Sequence, residues 1–81
     1  MLLIEAVAVR VENLIKSQEG LTAYALAKKA GMPRGTLWKI IHPDLTLVKT
    51  VKLDTIYQIA AALGISLSEF FNDPIFEQVI D

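Results

Sequence analysis

One histidine, no cysteine and nine scattered carboxylates are the stock from which these 81 residues could build a reactive centre. The missing cysteines remove thiolate ligands, thiol nucleophiles and disulfides in one step, so stability must come from helix packing or from a partner subunit. His42 cannot build a multi-histidine metal site alone, no Gly-rich phosphate loop is present, and no Ser/His/Asp set stands out. No catalytic residue, metal or cofactor is therefore expected, and the chain reads as a binding protein rather than an enzyme.

The cations carry more information. Between residues 28 and 52, Lys28, Lys29, Arg34, Lys39, Lys49 and Lys52 stand against Asp44 alone, a local balance of +5. The rest of the chain sets Arg10 and Lys16 against eight carboxylates, a balance of −6. A net charge of −1 by itself argues against a polyanionic partner, which needs Lys and Arg to neutralise phosphates. The division argues the other way: it gives the molecule one basic side, and only local charge counts once salt screens beyond about 10 Å. Chance scatter in so short a chain is the competing explanation.

The elements that must position these cations are marked by clear punctuation. The length allows one domain, residues 1–81. The composition is 53% hydrophobic and 21% charged, but the longest apolar run, Ile59 to Leu63, is far below the roughly 18 residues of a membrane span. Glu5 interrupts the apolar start, no Lys or Arg precedes it, and no cleavage site follows, so a cytoplasmic chain is expected. Leu3, Val7, Val11, Leu14 and Ile15 recur at helical spacing up to Gly20, predicting a first helix over 3–19. The alternation of Val7, Val9 and Val11 leaves a strand as the alternative. Thr22 suits the N-cap of a second helix with an Ala23, Leu26, Ala27, Ala30 stripe, ended by Gly31.

Pro33 suits the first position of a third helix, which runs to Ile41 with Leu37, Ile40 and Ile41 facing inward. Residues 42–52 lack a helical period and predict a loop or a short hairpin. Leu53, Ile56, Ile59, Ala60 and Leu63 mark a fourth helix ended by Gly64. Ser66 with Glu69 is a capping box opening a fifth, whose buried face is Leu67, Phe70 and Phe71. The tail from Ile75 to Asp81 has no obvious place in the core, and a bundle this small predicts no small-molecule pocket.

The second and third helices form a helix-turn-helix: Ala27 keeps the crossing small, Gly31 supplies the turn, and Leu37 and Ile40 lock the second helix back. The runs "LTAYALAKKAGMPRGTLWKI" and "LDTIYQIAAALGISLSEFF" resemble the helix-turn-helix domains of the phage Cro and C1 repressor class, the XRE family, over residues 10–72 or so. The resemblance implies an all-α, five-helix lambda-repressor-like domain, with the third helix in the major groove of double-stranded operator DNA and a homodimer reading two half-sites. A transcriptional regulator of repressor type is the function it implies.

If Leu37, Ile40 and Ile41 face inward, Arg34, Gly35, Trp38, Lys39 and His42 share the opposite face, which in the family holds the base-contacting positions. Arg34 can donate two hydrogen bonds to guanine, and Lys39 can reach a base or a phosphate. Thr22 holds the position that caps the second helix beside a backbone phosphate, and Thr36 suits a phosphate or thymine methyl contact or bonding within its own helix. Trp38 has three open readings: thymine methyls or sugars, burial beside the 42–52 loop, or a protein partner. His42 suits a C-terminal cap or a phosphate contact, and Lys49 and Lys52 suit the DNA backbone. The chain departs from the family pattern at Ala23, where Gln is frequent, at Pro33, where a polar cap is usual, and at Gly35, where a longer polar reader is usual.

Leu2, Leu3, Ile4 and Val9 lie partly outside the first helix's core stripe, and with the tail they offer an apolar surplus from which Leu2, Leu3, Ile75, Phe76, Val79 and Ile80 are the expected dimer interface. The alternative is that both ends fold back onto their own bundle. Two other functions fit the same features: an antitoxin that represses its own operon and binds a toxin, and a protein-interaction module that has lost DNA binding.

Overall fold

The computed structural model describes residues 1–46 and 50–80. Five α-helices follow in order, α1 Leu3–Lys16, α2 Ala23–Ala30, α3 Arg34–Ile41, α4 Leu53–Ala62 and α5 Leu67–Phe70, with a closing 3₁₀ turn at Pro74–Gln78. Among the described residues there is no strand, so the strand alternative for Val7 to Val11 gives way to helix and residues 42–46 and 50–52 are irregular chain, while the remainder of the hairpin alternative, residues 47–49, lies outside the described residues. No helix among them is long and apolar enough to cross a membrane.

Helix α1 is rich in valine, which loses side-chain freedom in a helix, and it holds because burial outweighs that cost. Val7 and Val11, one turn apart, are sealed in the core with Ile4 and Ala8 beside them. The Glu5 carboxylate accepts from the Leu2 N–H at 2.9 Å and closes the helix start. The helix ends three residues before the expected position 19. Ser17 is the cause: its hydroxyl donates to the Leu14 carbonyl at 2.7 Å, competing for the last turn, and residues 17–20 form a turn instead.

The remaining boundaries follow local chemistry. Gly31 (φ +71°) and Gly64 (φ +76°) end α2 and α4 in the left-handed region. Each is followed by the paired bonds of a Schellman motif, with the Met32 N–H donating to the Ala27 carbonyl and the Ile65 N–H to that of Ala60. Ser66 Oγ accepts from the Glu69 N–H at 3.0 Å, the half of the capping box that the structure forms. Pro33 sits at the N-cap of α3 rather than at its first helical position, since its ψ of 145° is extended.

Leu26 and Ala27 of α2, Leu37 of α3, Ile56, Ile59 and Ala60 of α4, and Phe70 of α5 join Val7 and Val11 in one core. The C-terminal segment also has a place there. Phe76 lies 6.2 Å from Phe70 and 5.0 Å from Phe71, ring to ring, and packs against the core. The amino terminus of Met1 donates to the Gln78 carbonyl at 2.9 Å, and the Ile80 N–H donates back to the Met1 carbonyl at 3.1 Å. Arg10 completes this closure, donating to the carbonyls of Phe70 (2.7 Å) and Glu69 (2.9 Å) and to Asp73 (3.2 Å).

Candidate nucleic-acid interface

The helix-turn-helix is built from a tight contact and a tight turn. Ala27 and Leu37 are both buried where α2 meets α3, and the small side chain of Ala27 permits that approach. At the other end of α2, Thr22 Oγ1 accepts from the Ala25 N–H at 3.1 Å, so the expected cap forms. The first N–H groups of this helix precede the hydrogen-bonded ladder and carry the positive end of its dipole.

Leu37 is fully buried while Ile40 and Ile41 are half-buried against the core. That arrangement leaves Arg34, Gly35, Thr36, Trp38, Lys39 and His42 exposed, yet it does not gather them on one flat face. Arg34, Gly35 and Trp38 turn toward α2 and, with Ala23 and Tyr24, line an apolar notch of about 490 Å³. Thr36 and Lys39 turn the other way, toward α1. They border an open groove of about 240 Å³, with Ile4, Val7, Ile40 and Val51 as its apolar walls. The groove is an open surface cleft between α1, α3 and α4 rather than an enclosed interior.

Trp38 is 60% exposed, which removes the reading that buries it beside the 42–52 loop. Its ring lies 3.8 Å from that of His42, centroid to centroid and tilted by 44°. His42 caps α3 as expected, its N–H donating to the Trp38 carbonyl at 2.8 Å. The Arg34 guanidinium rests 5.4 Å from the centre of the Tyr24 ring, a cation–π contact. Tyr24 went unnoticed in the sequence, although an aromatic two residues past a helix cap, off the Leu26/Ala27 stripe, marks an exposed ring.

Five cations between residues 28 and 52 face solvent. Lys28, Lys29, Arg34, Lys39 and Lys52 are exposed, and the two ion pairs among the described residues, Arg10–Asp73 and Glu12–Lys16, involve none of them. Lys49 lies outside the described residues. Asp44 is turned to local use: the Thr46 hydroxyl (2.6 Å) and N–H (3.0 Å) donate to it, holding its carboxyl below the usual carboxylate range. Among the described residues no three carboxylate or imidazole groups gather as metal ligands.

At the chain ends, Leu3 and Ile80 are exposed, Leu2, Ile75 and Val79 are half-buried, and Phe76 is committed to its own core. No curated protein and no solved structure matches the chain. A family model of the Cro/C1-type HTH DNA-binding domain matches residues 13–74, from the last turn of α1 through the start of the 3₁₀ turn. With that match covering most of its length and the α2–turn–α3 geometry in place, the chain belongs to the Cro/C1-type HTH DNA-binding domain family.

Proposed function

We propose that the chain is a sequence-specific transcriptional regulator of repressor type that lays α3 in the major groove of operator DNA and reads two half-sites as a homodimer. The observation that carries this reading is the group of five exposed cations, outside the ion pairs described, around the α2–α3 unit. The one carboxylate between residues 28 and 52 is Asp44, already engaged by Thr46. Such a surface favours a polyanion despite the acidic whole, because phosphates meet only the local field.

Within this reading Thr22 and the first turn of α2 hold a backbone phosphate. Arg34 and Lys39 reach base edges, while Thr36, His42, Lys49 and Lys52 approach the sugar-phosphate chain. Trp38 and Gly35 shape the surface between them. The dimer forms through Leu2, Leu3, Ile75, Val79 and Ile80, with Phe76 supporting that patch from inside. The backbone bonds between Met1 and residues 78 and 80 support it by bringing both ends to one place. The protein acts in the compartment that holds the DNA.

The test is enrichment of duplexes from a randomised pool, followed by titration of the best duplex across salt. If each protomer engages four or five phosphates, log K falls against log salt with a slope of about −4 per protomer. Failure to retain any duplex at about 50 mM salt rejects the reading.

A further inference from the structure

We propose that the notch between α2 and α3 is a thymine-reading pocket, in which the 5-methyl group packs between the Tyr24 and Trp38 rings while Arg34 faces the base's O4. The inference rests on the DNA-binding reading above and names the base for which this surface is shaped. Its floor is open because two side chains are small. Ala23 ends at its Cβ, and Gly35 has none, with nothing within 4 Å of where one would stand. Its walls are aromatic: Tyr24 and Trp38 are 57% and 60% exposed, a large apolar area to leave in water.

The walls are also held in place before any ligand arrives. The His42 ring lies 3.8 Å from that of Trp38, tilted against it, and Arg34 lies over Tyr24 at 5.4 Å, so each wall already has a neighbour that limits the freedom it would lose on binding. The polar chemistry selects the base. Arg34 offers only donors, and no carboxylate lines the notch. Of the base edges in the major groove, thymine alone combines a methyl group with an acceptor, O4. Cytosine lacks the methyl and presents its N4 amino donor to a surface whose charged group is itself a donor.

The test uses the full chain and the tightest duplex recovered from a randomised pool. Each thymine is replaced in turn by uracil, which removes the methyl and leaves every hydrogen-bonding group. The affinity should fall about fourfold at one or two positions per half-site, the worth of one buried methyl-sized group. In Trp38→Ala, whose exposed side chain can be removed without opening the core, the same replacements should change affinity less than about twofold. An unchanged unfolding midpoint would show that the fold persists. Replacing the sensitive thymine by 5-methylcytosine, with guanine opposite, keeps the methyl but exchanges O4 for an amino group and should bind more weakly than thymine. Equal binding of thymine and uracil at every position, an undiminished uracil penalty in Trp38→Ala, or equal binding of 5-methylcytosine would each overturn the proposal while DNA binding itself stands. A pool from which no duplex is enriched would instead overturn the underlying regulator reading.

Discussion

A single guanidinium closes the acidic end of the bundle. Arg10 projects from α1 and donates to two carbonyls at the end of α5 and to Asp73, adding charged donors where a helix terminus leaves carbonyls short of intrahelical partners. Its side chain is only 13% exposed, so charge-assisted bonds there outweigh those of a surface pair. Arg10→Ala should therefore lower stability by about 2–3 kcal/mol, read as a smaller urea midpoint with unchanged slope. Asp73→Asn should cost much less, since the carbonyl contacts survive and an amide oxygen can still accept from the Ile75 N–H, as Asp73 now does at 2.9 Å. Arg34 belongs to the opposite surface, where Arg34→Ala should leave stability almost unchanged, reduce specific DNA binding by about 1–3 kcal/mol and relax base preference. Lys52→Ala should weaken all sequences alike. Asp44 offers a pH test. The carboxylate form is favoured in the fold by the Thr46 donors, so the turn's stabilisation is present above the ordinary aspartate range and fades as pH falls through the lowered pKa. Thr46→Val should move that titration upward toward the ordinary value, as followed by carboxyl NMR.

Among the elements, α3 shows how function and stability pull against each other. Gly35 is the exposed second residue of the eight-residue α3, where alanine loses less backbone freedom on folding than glycine and is worth somewhat less than the roughly 1 kcal/mol of a helix interior. Nothing within 4 Å blocks the added methyl. Gly35→Ala should therefore raise the unfolding midpoint while reducing DNA affinity. Gly31→Ala should do the reverse to stability, losing about 1 kcal/mol or more, because φ +71° is strained for any side chain. These helix boundaries were legible in the sequence because caps and Schellman turns act across three to five residues. Thr22, Gly31, Gly64 and Ser66 each sit within that range of their partners. The roles of Arg10 and Phe76 were not legible. Arg10 finds its acceptors 59 to 63 residues away, and Phe76 finds its ring partners only once α5 and the 3₁₀ turn meet. The family resemblance located α3 as the reading helix, and periodicity found its exposed residues. Their division into two flanks depends on where α1 and α2 pack, which no spacing along α3 encodes.

At the scale of the whole molecule, the closed ends reshape the question of assembly. Deleting residues 75–81 would remove Phe76 from the core along with the backbone bonds to Met1, so loss of a dimer after such a deletion would not separate folding from association. Leu3→Asp with Ile80→Asp keeps Phe76 and alters only exposed positions. Sedimentation of that variant should show monomer at concentrations where the parent chain is a dimer, with the parent's helical content by circular dichroism and an unfolding midpoint no longer dependent on concentration. Leu53 and Tyr57, one turn apart on α4 and both more than half exposed, provide the control. Leu53→Asp with Tyr57→Asp should leave the dimer intact, and a monomer there would move the interface to α4. The most direct test of the central claim is to follow backbone amide resonances as an enriched duplex is added at about 50 mM salt. The account predicts that the largest shifts fall on Thr22 to Ala25 and Arg34 to His42, together, and that they reverse on raising the salt. Shifts centred on other helices with α3 unmoved, or none at all up to saturating duplex, would contradict it.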